Sequence, residues 1–494
     1  MRSALRIFKK DVRHLWPSIV LVVGIELLAG WAASAPSPGM ARAYLGLGWI
    51  QALAQWFLIA SVVQEESLVG DRQYWLTRPY SWKALLAAKL LFFLVFIHLP
   101  ELAADVGALM ARGESPMAHW AGLSMAQFFT LAMVLSAAAL AAVSTGLAQF
   151  AGIFLAAFAG FLLTAETLAY LVRGDPSWGG LGWLHNAATA VVAIFCAAAI
   201  LAVQYAARKT TLSRWIFAAG VLAMVSMMRM LEPHAAFELQ CWLDGRRAPD
   251  STARIVQDSP RGLETAPLPE ASWGHTSMRA VEVPILIAGI PPGMKLQSDG
   301  VATSGVLPDG RVWSSGWDSI NRLTNVVDTG KSTREERLLP GADPWLYVNA
   351  DPSMAGRNLH ATAALTLLAA EEITPLARPG RPTRVPQGGL CWVTGEYDLH
   401  IVCSWPAPTP GYAAVRIRMA GMPAGADQPL LSVSPGGQNL SYGPCASSGG
   451  LWQVVDASAE MSAAPSEIVV VTRRVAAHFE RGVGIHPTGG GQLP

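Results

Sequence analysis

Seven apolar stretches crowd the first 231 residues of this chain, and none of comparable length follows. They run over about 16–33, 44–63, 85–104, 125–149, 150–171, 184–205 and 215–230. Each is close to the ~20 residues that a helix needs to cross a hydrocarbon layer. Lipid supplies no hydrogen-bond partners, so such stretches must be helices whose backbones satisfy themselves. Only Ser144, Thr145 and Gly146 separate the fourth from the fifth, and the two are also readable as one broken hairpin. Beyond Glu232 the chain turns Pro- and Gly-rich with ordinary polarity. That division explains an overall charged content of 14%, against about 25% in soluble proteins. The net charge of +1 gives no footing for a nucleic-acid partner.

Lysine and arginine asymmetry sets the expected orientation. Arg2, Arg6, Lys9, Lys10 and Arg13 precede the first stretch. Arg72, Arg78 and Lys83 lie between the second and third, and Arg208, Lys209 and Arg214 between the sixth and seventh. The alternate connections hold single cations, Arg42, Arg112 and Arg173. This pattern predicts a cytoplasmic N-terminus, with everything after Leu231 outside. The basic start followed by Ala33-Ser34-Ala35 also has the form of a cleaved signal peptide. The length of the first stretch and the six that follow favour a retained span.

The expected organisation is an α-helical polytopic membrane bundle of about seven spans followed by an all-β extracytoplasmic domain, sandwich-like or two small sandwiches in series. Residues 1–15 read as a cytoplasmic interfacial helix, with Leu5, Phe8 and Val12 on one face and cations elsewhere. Residues 16–231 form the transmembrane domain, 232–278 a stalk, 279–485 the β domain, and 486–494 a flexible tail. Inside the bundle, Glu26, Glu101 and Glu166 are the costly residues, accompanied by Gln51, Gln55 and His98. Intramembrane carboxyls serve either as parts of a translocation path or as interhelical hydrogen-bonding groups. Gly46-Leu47-Gly48 and the Ala/Gly runs of spans four and five read as small-residue packing surfaces.

The connection over 64–89 is short, charged and aromatic. Acids close the second span, a lysine enters the third, and a short helix parallel to the membrane fits between Ser67 and Pro79. In order come Glu66, Gly70, Leu76, Pro79, Ser81 and Lys89, and Lys10-Asp11-Val12-Arg13 precedes the first span. In these residues the chain resembles the membrane subunits of type-2 ABC exporters. The resemblance extends over 1–231 and is strongest at 64–89. It implies that the loop holds a coupling helix, which makes Glu66, Gly70, Asp71, Arg72, Trp75, Arg78 and Pro79 candidates for contact with a cytoplasmic ABC ATPase. It also implies two membrane halves, as a homodimer or paired permease. The family has six spans and no large external domain, so the seventh span and the β half depart from it. No ATPase lies in this chain: Gly330-Lys331-Ser332 lacks the glycine that a phosphate loop needs at Asn325.

In the second half, alternation of period two marks strands. Val281, Val283, Ile285 and Ile287 share one face; Leu399, Ile401, Cys403 and Trp405 share another. Val415 and Ile417 alternate with Arg416 and Arg418, and Ile468–Val471 is apolar throughout. The stretch 359–371, rich in Ala and Leu, suggests a helix or a strand. Cys391 and Cys403 are symmetric about a turn near Tyr397, so they can pair across a hairpin; Cys241 and Cys445 pair by elimination. His400 and Cys403 lie on opposite faces of one strand, which denies them a shared zinc. No Gly-x-Ser-x-Gly elbow is present. The reading assigns no catalytic residue, no metal ligand and no cofactor. It gives a permease-like subunit driven by a separate ATPase, whose external domain binds a partner or substrate. The alternative is a membrane-anchored sensor or assembly protein whose bundle does not transport.

Overall fold

The computed structural model describes residues 2–34, 38–66, 81–156, 159–160, 182–230, 233–244, 254–257, 264–265, 279–291, 293–318, 323–324, 345–350, 354, 357–376, 381–394, 398–409, 411–419, 430–432, 451–460 and 465–486. Helix α1, Arg2–Ser34, is one rod of 33 residues. The basic start and the first apolar stretch are therefore continuous, with no break at residue 15. Pro17 sits inside α1 without ending it. Ile7, Ile19 and Val22 all point into one bundle core, so the leading segment packs on protein as well as facing outward. Helix α2 is Pro38–Gln64, and α3, Trp82–Phe93, begins with the Ser81 hydroxyl accepting from the Ala84 N–H at 3.2 Å.

A π-helical turn, Leu94–His98, joins α3 to α4, Leu99–Ala111. Pro100 has no N–H to donate and crowds the preceding turn. A wider turn there lets the rod continue, so Glu101 sits in a continuous helix rather than at a break. Helix α5 is Trp120–Val143, α6 is Leu147–Ala156, α7 is Gly182–Ala206, and α8 is Thr210–Met230. Among the described residues, six stretches are long and apolar enough to cross a membrane: Arg2–Ala33, Gly46–Gln64, Trp82–Ala111, Trp120–Val143, Trp183–Ala206 and Thr210–Met227. The expected span at 150–171 falls partly on α6 and partly outside the described residues.

The expected Ala run of the fourth span packs into the bundle core through Ala137, Ala138, Ala139, Ala141 and Ala142, and further small residues make close approaches. A Cβ on Gly30 of α1 would lie 2.8 Å from the Ala104 Cβ of α4, and one on Gly220 of α8 would lie 3.0 Å from Cys196 Sγ of α7. A Cβ on Gly46 or Gly48 would have nothing within 4 Å among the described residues.

Helix α9, Pro233–Asp244, occupies part of the expected stalk. Ala236, Phe237, Gln240 and Cys241 are buried, at a spacing that places them on one face. That face packs on Trp183 and Leu184 of α7 and on Ala364. The Trp183 indole N–H donates to Gln240 Oε1 at 2.8 Å.

The rest is β-rich, in antiparallel sheets. Strands β1 (Arg254–Gln257), β2 (Glu264–Thr265), β3 (Arg279–Ala288), β6 (Leu323–Thr324) and β7 (Trp345–Ala350) form one sheet, ordered β1-β3-β7-β6 with β2 beside β3. Strands β4 (Lys295–Val306), β5 (Val312–Asp318), β8 (Leu359–Leu368) and β17 (Val475–Ile485) form a second, ordered β17-β8-β4-β5. These two sheets share a core that includes Val283, Ile285, Leu346, Ala361, Leu365 and Phe479. Strand β8 settles the ambiguity at 359–371. It lies between β17 and β4 with nearly all of its residues buried, which erases the two-residue alternation.

A third sheet runs β10 (Thr383–Val385), β11 (Gly389–Thr394), β12 (Asp398–Pro406), β15 (Trp452–Glu460). A fourth runs β14 (Leu430–Ser432), β13 (Tyr412–Met419), β16 (Pro465–Arg473), β9 (Glu372–Pro375). They also share one core, from Val393, Ile401 and Trp405 on one side to Val415, Ile417 and Val470 on the other. Cys391 and Cys403 are direct partners in the β11–β12 register and are joined by a disulfide, with Cα atoms 4.1 Å apart. Cys241 is buried on α9, and Cys445 lies outside the described residues.

Candidate functional site

Three separated segments deliver charge to one point of the bundle. Helix α1 brings Lys10, Asp11 and His14, the end of α2 leads to Glu65 and Glu66, and α3 brings Lys89. Lys89 is 1% exposed and Asp11 is fully buried. The Lys89 ammonium donates to Asp11 Oδ2 at 2.8 Å and also to Glu66. Lys10 donates to Glu66 as well, and its Nζ lies 3.6 Å from Asp11 Oδ1. Glu65 sits at the margin, 3.7 Å from Lys10 and 3.6 Å from His14.

The centre is charge-balanced: two ammonium groups face two carboxylates. Removing these ions from water costs several kcal/mol per ion, and only dense pairing offsets it. Burial alone would raise the Glu66 carboxyl, but Lys89 and Lys10 outweigh it and hold Glu66 below its ordinary value. Around the rim, Arg6, Lys9, Lys10, Arg13 and His14 line an open groove of one sign. Glu66 is the last described residue before the 67–80 segment, so the network grips the root of that loop. Gly70, Asp71, Arg72, Trp75, Arg78 and Pro79 lie outside the described residues, as does Glu166.

Glu26 and Glu101, expected from the sequence to lie in spans, bridge helices. Gln55 of α2 donates to Glu26 of α1 at 2.9 Å, and the Thr130 hydroxyl of α5 donates to Glu101 of α4 at 2.9 Å. His98 Nδ1 lies 3.0 Å from Gln127 Oε1. One oxygen of each carboxyl has no hydrogen-bond partner among the described residues.

The far end of the bundle meets the β region. Arg112, at the end of α4, donates to Ser404 O at 3.3 Å, to Ser404 Oγ at 3.2 Å and to the Ala33 carbonyl of α1. Its guanidinium lies 4.2 Å from the Trp452 ring centre. His119 Nδ1 lies 3.0 Å from Ala407 O, and a Cβ on Gly122 would lie 2.6 Å from that same oxygen. Arg112, read from sequence only as a lone loop cation, is thus a buried joint between two regions.

Neither a protein-family model nor a curated protein sequence matches the chain. Among solved structures, a heparinase III with methylated lysines aligns over 92% of this chain and 70% of that one, at 10% identity and a TM-score of 0.12.

Proposed function

We propose that this chain is a permease-like membrane subunit of a bacterial ABC exporter system, driven by a separate cytoplasmic ATPase. The observation that carries the reading is the convergence of Asp11, Glu66 and Lys89. These belong to the two stretches, 10–13 and 64–89, through which the sequence resembles type-2 permeases, and they meet in one buried network at the root of the 67–80 segment. A loop that takes up force from an ATPase needs a stiff footing, and this network joins α1, α2 and α3 there. The loop then presents Trp75 and Arg78 to the ATPase. Pairing of two membrane halves follows from the family resemblance.

We also infer a seventh span. Trp183 and Leu184, at the start of α7, pack near Met125 and Phe129, early in α5, while Arg214 beside the end of α7 donates to Val143 O at the end of α5. Helices α5 and α7 are therefore parallel. Two consecutive parallel spans require the chain between them to recross the membrane, and the apolar stretch expected at 150–171 supplies a segment for it. Seven spans with a cytoplasmic start leave the β region outside, as two sandwiches in series, in keeping with the shared cores of the sheet pairs.

The test is recovery of an ATPase. Full-length tagged protein cross-linked in its native membranes should co-purify with a nucleotide-binding subunit, and Trp75→Ala or Arg78→Ala should lose it. Failure to recover any ATPase from wild type overturns the reading. A second reading, a sensor whose external domain signals through the bundle, draws on the Arg112 joint. It is favoured if ligand binding outside alters the bundle without ATP.

A further inference from the structure

Helix α9 carries His234 and Glu238 four residues apart, so both side chains leave the same face of the helix. Strand β17 offers Glu480 to that face. His234 Nε2 lies 2.9 Å from Glu480 Oε1, and one ligand atom from each of the three residues lies within 4.8 Å of the others.

Two features separate this group from an ordinary ion pair. Glu480 Oε1 is shielded from solvent and accepts no hydrogen bond among the described residues, despite the imidazole nitrogen at bonding distance. The close contact therefore lacks hydrogen-bond alignment. Adjacent ligands on a cation with ~2.0–2.2 Å bonds to nitrogen and oxygen stand roughly 3 Å apart, which the His234–Glu480 pair matches at 2.9 Å, with Glu238 within 4.8 Å of both. In addition, the cluster combines two carboxylates with one imidazole, donor types that a divalent cation takes.

The surroundings hold the ligands in place. The His234 ring lies 6.3 Å from the Trp317 ring in an edge-on arrangement. Phe237, one turn along α9, meets the buried His478 ring at 5.8 Å, and His478 Nδ1 lies 2.8 Å from Thr366 Oγ1. His478 and Glu480 are two residues apart on β17, so they share a face of that strand.

We propose that His234, Glu238 and Glu480 bind one divalent cation. The mixed imidazole and carboxylate ligands suit zinc, with the remaining positions filled by water. Helix α9 follows directly on the last spanning helix, and β17 is the final strand. The cation thus pins the exit of the bundle to the β region. The inference stands independently of any transport role.

The experiment uses full-length protein in detergent, stripped with a chelator and titrated with zinc chloride by calorimetry. Elemental analysis follows after desalting. Wild type should retain one zinc per chain, and His234→Ala and Glu480→Gln should each bind at least tenfold more weakly. His400→Ala, away from the cluster, should match wild type. The circular dichroism spectrum and elution volume identify the variants that remain folded; Glu238→Gln, on the helix surface, serves if either of the others does not. Wild-type protein without saturable zinc binding overturns the proposal. So do folded variants that bind as wild type does.

Discussion

Replacing Lys89 by Met keeps the aliphatic stem inside the bundle and deletes only the ammonium. In the structure that ammonium has two carboxylate partners, Asp11 and Glu66. Its loss leaves Asp11 fully buried, with Lys10 at 3.6 Å as the nearest compensating charge. Glu66 still has Lys10, so one carboxylate is stranded rather than two. Stranding one buried charge costs about 3–5 kcal/mol, and Lys89→Met should lose that amount. Removing both charges, as Asp11→Leu/Lys89→Met, leaves the Lys10–Glu66 pair balanced and should cost only about 0–1 kcal/mol. The double variant is thus more stable than the single one. The assay is unfolding of the full chain by SDS in mixed micelles, followed by circular dichroism. A Lys89→Met loss below about 1 kcal/mol, or a double variant equal to the sum of the singles, refutes the reasoning.

At the other end, Arg112→Met strands the Ala33 carbonyl and the Ser404 groups, and should cost about 2–3 kcal/mol; hydrogen exchange should rise around Ser404 and Trp452. The 12-residue separation of Cys391 and Cys403 corresponds to a stabilisation of about 3 kcal/mol. Cys391→Ala/Cys403→Ala should lower the thermal transition, and reducing agent should lower that of wild type but not of the variant. Glu371 accepts from Arg416 at 2.7 Å and from Arg473 at 2.9 Å. Burial raises its carboxyl, but Arg416 and then Arg473 outweigh this and hold it below its ordinary 4.5. Its stabilisation is therefore complete above 4.5 and fades as pH falls through the lower folded value. The gap in melting temperature between wild type and Glu371→Gln should be full at about pH 7 and narrow towards about pH 3.

How much of this was legible beforehand depends on the range of the interaction. Spanning helices announce themselves because lipid imposes one length and one composition, and six such stretches are present. The Cys391–Cys403 pair was readable because a hairpin converts symmetric spacing into contact. Strand β8 was ambiguous because burial on both faces removes the alternation that distinguishes strand from helix. Helix α9 was concealed by its Pro-rich surroundings, although Ala236, Phe237, Gln240 and Cys241 already carry helical spacing. The ion network was legible in part. Lys89 is conspicuous in an apolar helix, but its partner Asp11 lies 78 residues away among cations that suggest only orientation. Likewise, His234 and Glu238 are a visible pair, whereas Glu480 joins them only through the fold.

Helix α1 is anchored at both extremities. Asp11 is clamped by Lys89 near one end, and the Ala33 carbonyl is clamped by Arg112 near the other. At ~1.5 Å per residue the two grips are about 33 Å apart, and α1 is helical throughout. A rod held this way behaves as a connecting rod. The grip on Asp11 is thereby linked through one rigid element to Arg112 and its contacts with Ser404 and Trp452. The two ends of the bundle share one mechanical part.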